Sequence, residues 1–167
     1  MRLANVRDGS KAEMAADGRA ASRYHALMLD LSCHCGLVRL TIERRPDYIH
    51  ECNCTLCRKT GALWGYFPSA MVGVQGATST YRRADKADPG AEIHFCGRCG
   101  VTTHFTLTAE IVARFGQDLT GVNMRLADER DLAGIELRYP DGSAWSGAGA
   151  FGYVREARII GEGTTSG

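Results

Sequence analysis

The sequence predicts a mainly β protein, and three observations carry that expectation. Short stretches alternate apolar and polar residues with the period of two that a half-buried strand requires, as in Leu37-Val38-Arg39-Leu40-Thr41-Ile42 and Glu92-Ile93-His94-Phe95-Cys96. Turn formers separate such stretches, among them Arg45-Pro46-Asp47, Gly76, Asp88-Pro89-Gly90 and Pro140-Asp141-Gly142. All seven cysteines fall between Cys33 and Cys99, in three clusters whose spacing suits metal-binding knuckles on small sheets.

Taken in order, residues 1–27 are rich in Ala, Arg, Asp and Ser and read as a flexible tail. Patterning starts at Met28, which is expected to be the natural start. One domain is expected over 28–160, followed by a disordered tail over 161–167. Within the domain, strands are expected at Leu37–Ile42, Tyr48–Cys52, Leu63–Phe67 (closed by Pro68), Val72–Gln75, Ser79–Arg83, Glu92–Cys96 and Val101–Leu107. The last two should pair as a hairpin capped by the knuckle Cys96-Gly97-Arg98-Cys99-Gly100. Ala84–Gly90 reads as a polar loop. A strand over Leu119–Leu126, a short helix or turn over Ala127–Leu132 and a weak strand over Ile135–Tyr139 follow. Ser143–Gly152, rich in Gly and Ala, reads as irregular.

The chain has 167 residues, enough for one domain with a modest core. Its apolar fraction of 44% and charged fraction of 23% are those of an ordinary globular protein. A formal net charge of +1 gives no electrostatic case for nucleic acid or an anionic membrane. No apolar run approaches the roughly 20 residues that span a bilayer, and residues 1–32 show no secretory signal. An odd number of cysteines cannot pair fully within one chain. A cytoplasmic location is therefore expected, where closely spaced cysteines serve as metal ligands or redox groups.

The clusters are Cys33-His34-Cys35-Gly36, Cys52-Asn53-Cys54-Thr55-Leu56-Cys57 and Cys96-Gly97-Arg98-Cys99-Gly100. A Cys-x-x-Cys turn curls its backbone round an ion and brings two sulfurs to it, and glycine after the last cysteine supplies a positive φ. Structural zinc takes four protein ligands, whereas catalytic zinc commonly takes three and leaves one position open. Seven divides as four plus three. Cys33, Cys35, Cys96 and Cys99 would close one site, and Cys52, Cys54 and Cys57 would hold a second ion. Buried filler cysteines do not cluster in this way, and no βαβ pattern supports a thioredoxin-like redox role. The alternative is that both sites are structural, with His50 or His104 closing the second. His34 and His94 adjoin ligand cysteines and should point away.

At these residues the chain resembles the glutathione-dependent formaldehyde-activating enzyme family, with centromere protein V as a relative. The family pattern stands here as Cys33-His34-Cys35-Gly36, then Cys52-Asn53-Cys54-Thr55-Leu56-Cys57-Arg58 with Gly61, then Phe95-Cys96-Gly97-Arg98-Cys99-Gly100. The resemblance implies a β-tent zinc fold of small antiparallel sheets and the same division of the cysteines. Two zinc ions per chain are expected, the second site being open to partial occupancy. The resemblance also implies carbon–sulfur lyase activity on the adduct of glutathione, or another thiol, with formaldehyde or a small aldehyde, Cys52, Cys54 and Cys57 holding the catalytic ion. Arg58, Lys59 and Arg98 are candidates for the thiol's carboxylates, and Asn53 and Thr55 for orienting a ligand. A non-catalytic zinc-stabilised binding module is the alternative function.

Overall fold

The alternating segments pair into two sheets. The structure, a computed structural model, describes residues 28–147 and 149–161. The expected tails, Gly161 excepted, lie outside the described residues. The smaller sheet has the order β1-β2-β5, all antiparallel, from β1 (Leu29–Ser32), β2 (Arg39–Ile42) and β5 (Val72–Gln75). Leu29, Leu31, Leu40 and Ile42 point inward from β1 and β2, as their alternation requires.

The larger sheet is open. It is built from β3 (Tyr48–His50), β4 (Trp64–Pro68), β6 (Thr78–Arg82), β7 (Ala91–Cys96), β8 (Thr102–Leu107), β9 (Leu119–Asn123), β10 (Glu136–Arg138) and β11 (Arg158–Ile159). Their order is β11-β10-β3-β4-β9-β8-β7-β6. Every pair is antiparallel except β3 with β10, which run parallel with Tyr48 opposite Glu136. The fold is thus mainly β, as the sequence predicts. Val38, Leu40, Ile42, Ile49, Phe67, Val122, Met124 and Leu137 form a continuous core reaching from the small sheet to the large one. Cys33 and Cys96 belong to that core, so the knuckles are part of the packing.

Among the described residues the helices are short: α1 (Thr55–Thr60), α2 (Ala109–Phe115) and α3 (Glu129–Leu132). The expected strand over Leu119–Leu126 ends early, at Asn123. The Asn123 side chain accepts from Leu63 N at 3.1 Å and from Arg125 N at 3.2 Å, and its amide donates to Thr102 O at 2.8 Å. Those bonds turn the chain into a 3₁₀ turn over Met124–Leu126. Among the described residues no helix is long and apolar enough to cross a membrane.

Candidate metal centre and active site

Two knuckles of matching design bring the first four sulfurs together. In the turn between β1 and β2, Cys33 N donates to Val38 O at 2.9 Å and Gly36 N to Cys33 O at 2.9 Å. In the turn between β7 and β8, Cys96 N donates to Val101 O at 3.0 Å and Gly100 N to Cys96 O at 2.8 Å. Gly36 and Gly100 take φ values of 75° and 72°, the left-handed conformation that reverses each turn. The four Sγ atoms lie within 4.8 Å of one another. Cys35 Sγ is 3.6 Å from Cys33 Sγ and 3.7 Å from Cys96 Sγ. A tetrahedron of zinc–sulfur bonds of about 2.3 Å has edges of about 3.8 Å, so these spacings suit zinc.

The second group forms where β3 runs into α1. Cys54 occupies the N-cap of α1, and its Sγ accepts from Cys57 N at 3.5 Å. Cys52 Sγ accepts from Cys54 N at 3.5 Å. The helix is short because Gly61 ends it with φ 66°, its N–H returning to Cys57 O. The Sγ atoms of Cys52, Cys54 and Cys57 all lie within 4.8 Å of one another, and among the described residues no fourth His, Cys, Asp or Glu joins them.

This group is ringed by donors that the sequence did not single out. Trp64, at the start of β4, donates its indole N–H to Cys57 Sγ at 3.2 Å. Arg83 points Nη1 at Cys54 Sγ from 3.9 Å, and its Nη2 donates to Thr55 Oγ1 at 3.4 Å. Asp85 fixes that guanidinium side-on, accepting from Nε at 2.9 Å and Nη2 at 2.6 Å. On the Cys52 side the segment 140–144 crosses as a strap. A Cβ at Gly142 would lie 2.3 Å from Cys52 Sγ, so a larger residue there would displace the sulfur or the strap. Asn53 pins the strap: its amide donates to Asp141 Oδ1 at 2.8 Å, and its carbonyl accepts from Ser143 N at 2.9 Å.

The thiols of each group share protons unequally. Hydrogen bonds from Cys52 and then Cys57 draw Cys54 far below the usual thiol range. The same contacts drive Cys57 far above it, with Cys52 the largest influence. In the other group, N–H groups of Val101 and Cys35 lower Cys99 to about 6. Against the pull of the Leu37 N–H, burial and the neighbouring thiols push Cys35 up to about 11. A soft divalent cation needs its sulfur ligands deprotonated, so its binding at either group would release protons.

The remaining candidates fall outside these groups. His50 Nδ1 pairs with Tyr66 Oη at 3.0 Å, and its buried Nε2 has no partner. Burial, reinforced by Arg138, lowers its pKa to about 4. His104 pairs with Thr103 Oγ1 at 3.0 Å and stacks on His94 with ring centroids 4.2 Å apart. His94 is held between Thr78 and Thr106 at 3.1 Å each. His34 is exposed, as are Arg58, Lys59 and Arg98. Asn53 and Thr55 are engaged by the strap and by Arg83, respectively.

With both groups in place, comparison with known proteins becomes decisive. Residues 28–134 match the family of the glutathione-dependent formaldehyde-activating enzyme, and that span contains all seven cysteines. The chain belongs to this family. A Halomonas elongata protein that carries the same family description in its name is 37% identical over 82 residues, 44% of this chain. The match spans about half of that relative's own length, 52%. The crystal structure of a Rhodobacter sphaeroides protein superposes with a TM-score of 0.50 at 25% identity, covering 64% of this chain and 97% of that one. The strap lies beyond the family match, so its contacts with Cys52 and Asn53 are described from this chain alone.

Proposed function

We propose that this chain is a zinc-dependent carbon–sulfur lyase, making and breaking the adduct of glutathione, or another thiol, with formaldehyde or a similarly small aldehyde. Residues 28–160 form the working domain. Cys33, Cys35, Cys96 and Cys99 hold a structural zinc ion, and Cys52, Cys54 and Cys57 hold the catalytic one. A reducing cytoplasmic setting suits both, since seven free thiols would otherwise oxidise. The observation that carries this reading is the three-sulfur group without a fourth protein donor among the described residues.

With zinc bound, the chemistry supplied is the acidification of a thiol taken as fourth ligand, so that the sulfur stays nucleophilic at neutral pH. Overall, a carbon–sulfur bond forms, the carbonyl π pair passes to oxygen, and that oxygen takes up the proton the thiol released. The reverse reaction breaks the same bond and returns the aldehyde. Three cysteine thiolates concentrate negative charge, and the Trp64 N–H and the Arg83 guanidinium offset it from two sides. The strap limits the space beside Cys52, which favours an aldehyde as small as formaldehyde.

The zinc-loaded protein should speed formation of the glutathione–formaldehyde adduct above the spontaneous rate, followed by NMR of the methylene signal. Metal analysis under reducing conditions should find two zinc ions per chain, the four-cysteine group holding its ion more tightly. Two zinc ions with no acceleration for any thiol–aldehyde pair would replace this reading with the zinc-stabilised binding module.

A further inference from the structure

The face of the large sheet that carries Trp64 continues into a buried polar pair. His50 stands opposite Trp64 across β3 and β4, and Tyr66 follows Trp64 by two residues on the same face of β4. His50 is 4% exposed; its Nδ1 pairs with Tyr66 Oη at 3.0 Å, and among the described residues its buried Nε2 has no partner. A buried N–H is rarely left without an acceptor, so the ring proton sits on Nδ1 and is donated to Tyr66 Oη. The Tyr66 hydroxyl then keeps its own proton to donate elsewhere. Burial first, and then the charges of Cys57, Tyr48 and Cys52, raise its pKa well above the ordinary tyrosine range, so the hydroxyl stays protonated beside the sulfurs. Gly121 lies opposite Tyr66 on β9, and Phe105 lies opposite Gly121 on β8. The Phe105 ring fills the space over that glycine and backs both neighbours, 4.9 Å from Trp64 and 6.3 Å from Tyr66 between centroids. From the other side Phe151 and Tyr153 stand edge-on to His50, with centroids at 5.8 and 6.2 Å. They belong to the same arm as the strap, since Pro140 bridges to Tyr153 and Asp141 N donates to Gly152 O at 2.7 Å. One arm therefore covers Cys52 at Gly142 and His50 at Phe151.

On the reading that the three-cysteine group delivers a thiol to an aldehyde, we infer that Tyr66 is a catalytic residue whose hydroxyl donates a hydrogen bond to the aldehyde oxygen, and that His50 is its positioning residue. Charge develops on that oxygen as the carbon–sulfur bond forms and the carbonyl π pair moves outward. Three thiolates close by make such charge costly, and the donors already described, Trp64 and Arg83, are directed at the sulfurs themselves. A fixed donor under a covering arm meets the charge without water having to reorganise. Tyr66 lends a hydrogen bond and retains its proton; the oxygen takes up the proton that the thiol released. In the reverse direction the same hydroxyl holds the oxygen while the carbon–sulfur bond breaks and its electron pair returns to sulfur. The sequence offered His50 as a fourth ligand of the second site. Its bond to Tyr66, and its place outside the sulfur group, give it this supporting role instead.

The test measures steady-state adduct formation by the zinc-loaded full chain with glutathione and formaldehyde. Glutathione binding without aldehyde is read in parallel from intrinsic tryptophan fluorescence, since the Trp64 indole touches Cys57 Sγ. Tyr66→Phe keeps the ring and removes the donor. It should lower kcat about a hundredfold, the worth of one oxyanion donor, with glutathione affinity and zinc content unchanged. His50→Leu should lower kcat about tenfold by releasing the hydroxyl from its hydrogen bond. His50→Asn, whose amide can stand in for the Nδ1–H, should recover most of that loss. Because His50 acts through Tyr66, the double variant of Tyr66→Phe and His50→Leu should be no slower than Tyr66→Phe alone. Circular dichroism and zinc analysis check that each variant folds and loads. Wild-type kcat in Tyr66→Phe, a matching fall in its glutathione affinity, or a double variant slowed by the product of the two effects would overturn the assignment and leave the lyase reading standing. Failure of wild type to accelerate any thiol–aldehyde pair would overturn both.

Discussion

Cys33 and Cys96 are each 1% exposed, pack into the main core and sit in turns whose bonds run from backbone to backbone. Burial alone does not set the second group apart, since Cys35 and Cys99 are half-buried like Cys52 and Cys57, and Cys54 is buried. Its sulfurs differ in taking their surroundings from side chains: an indole, a guanidinium, and a strap clasped by an asparagine. Both groups gather sulfurs within the same 4.8 Å. On the proposed division into a structural and a working site, ligand type does not separate the two; the environment does. A metal tied into a core stabilises the fold by joining elements distant in sequence, as Cys35 and Cys96 do across 61 residues. A group on the rim between α1 and a strap contributes less to the fold and keeps access to solvent.

The largest expected effect breaks the comparison most directly. Cys96→Ser should abolish cooperative folding, because a structural zinc site contributes on the order of 10 kcal/mol and Cys96 is also buried in the core. Cys52→Ser should leave a folded protein that retains one zinc ion and loses adduct formation. Thermal melts followed by circular dichroism, with metal analysis, decide it. If the two variants lose stability alike, the division into structural and working sites is wrong.

How much of this was legible in the sequence follows from range. Most strands, β1 apart, and the two glycine-ended knuckles were readable because alternation and the Cys-x-Cys-Gly and Cys-x-x-Cys-Gly spacings are local signals. Val72–Gln75 matched to the residue. The helix α1 was not anticipated: with six residues it is too short to show a helical period, and its cap is a cysteine. The helix α2 offered a fair signal in Gly116 at its C-terminus, which went unused. β11 is only two residues and exists through pairing with β10. At the site, the sequence singled out all seven cysteines, and the structure gathers their sulfurs as four and three. Trp64, Arg83 and Gly142 were missed because nothing local marks them, and Asn53 faces the strap 88 residues away.

A smaller effect is expected on the rim alone. Gly142→Ala would drive a methyl group into Cys52 Sγ, so either the sulfur or the strap must move. Misplacement of a reacting group by about 1 Å can cost on the order of a hundredfold in rate. Adduct formation should fall steeply, while the melting temperature shifts little because residue 142 lies outside the main core. A variant with unchanged turnover would show that the strap does not bear on the working sulfurs. Pinning by Asn53 makes that outcome unexpected, since its two bonds leave the strap little room to retreat.

The finest test concerns the indole that supports Cys57. Trp64 packs against Phe105 edge-on, with centroids 4.9 Å apart, and Phe105 in turn lies over Gly121, where a Cβ would meet its ring at 1.9 Å. That stack fixes the indole so that its N–H reaches Cys57 Sγ at 3.2 Å. Trp64→Phe keeps most of the apolar contact and deletes the donor. A hydrogen bond to a charged acceptor contributes about 1.5–3 kcal/mol, so the three-cysteine group should release zinc to a chelator about tenfold more readily. The four-cysteine group has no contact with the indole and should hold its ion unchanged. Zinc release followed with a chromogenic chelator would show two phases, with only the faster one accelerated in the variant. Acceleration of both would mean that Trp64 acts through the fold as a whole, and the two sites would then be less independent than their surroundings imply.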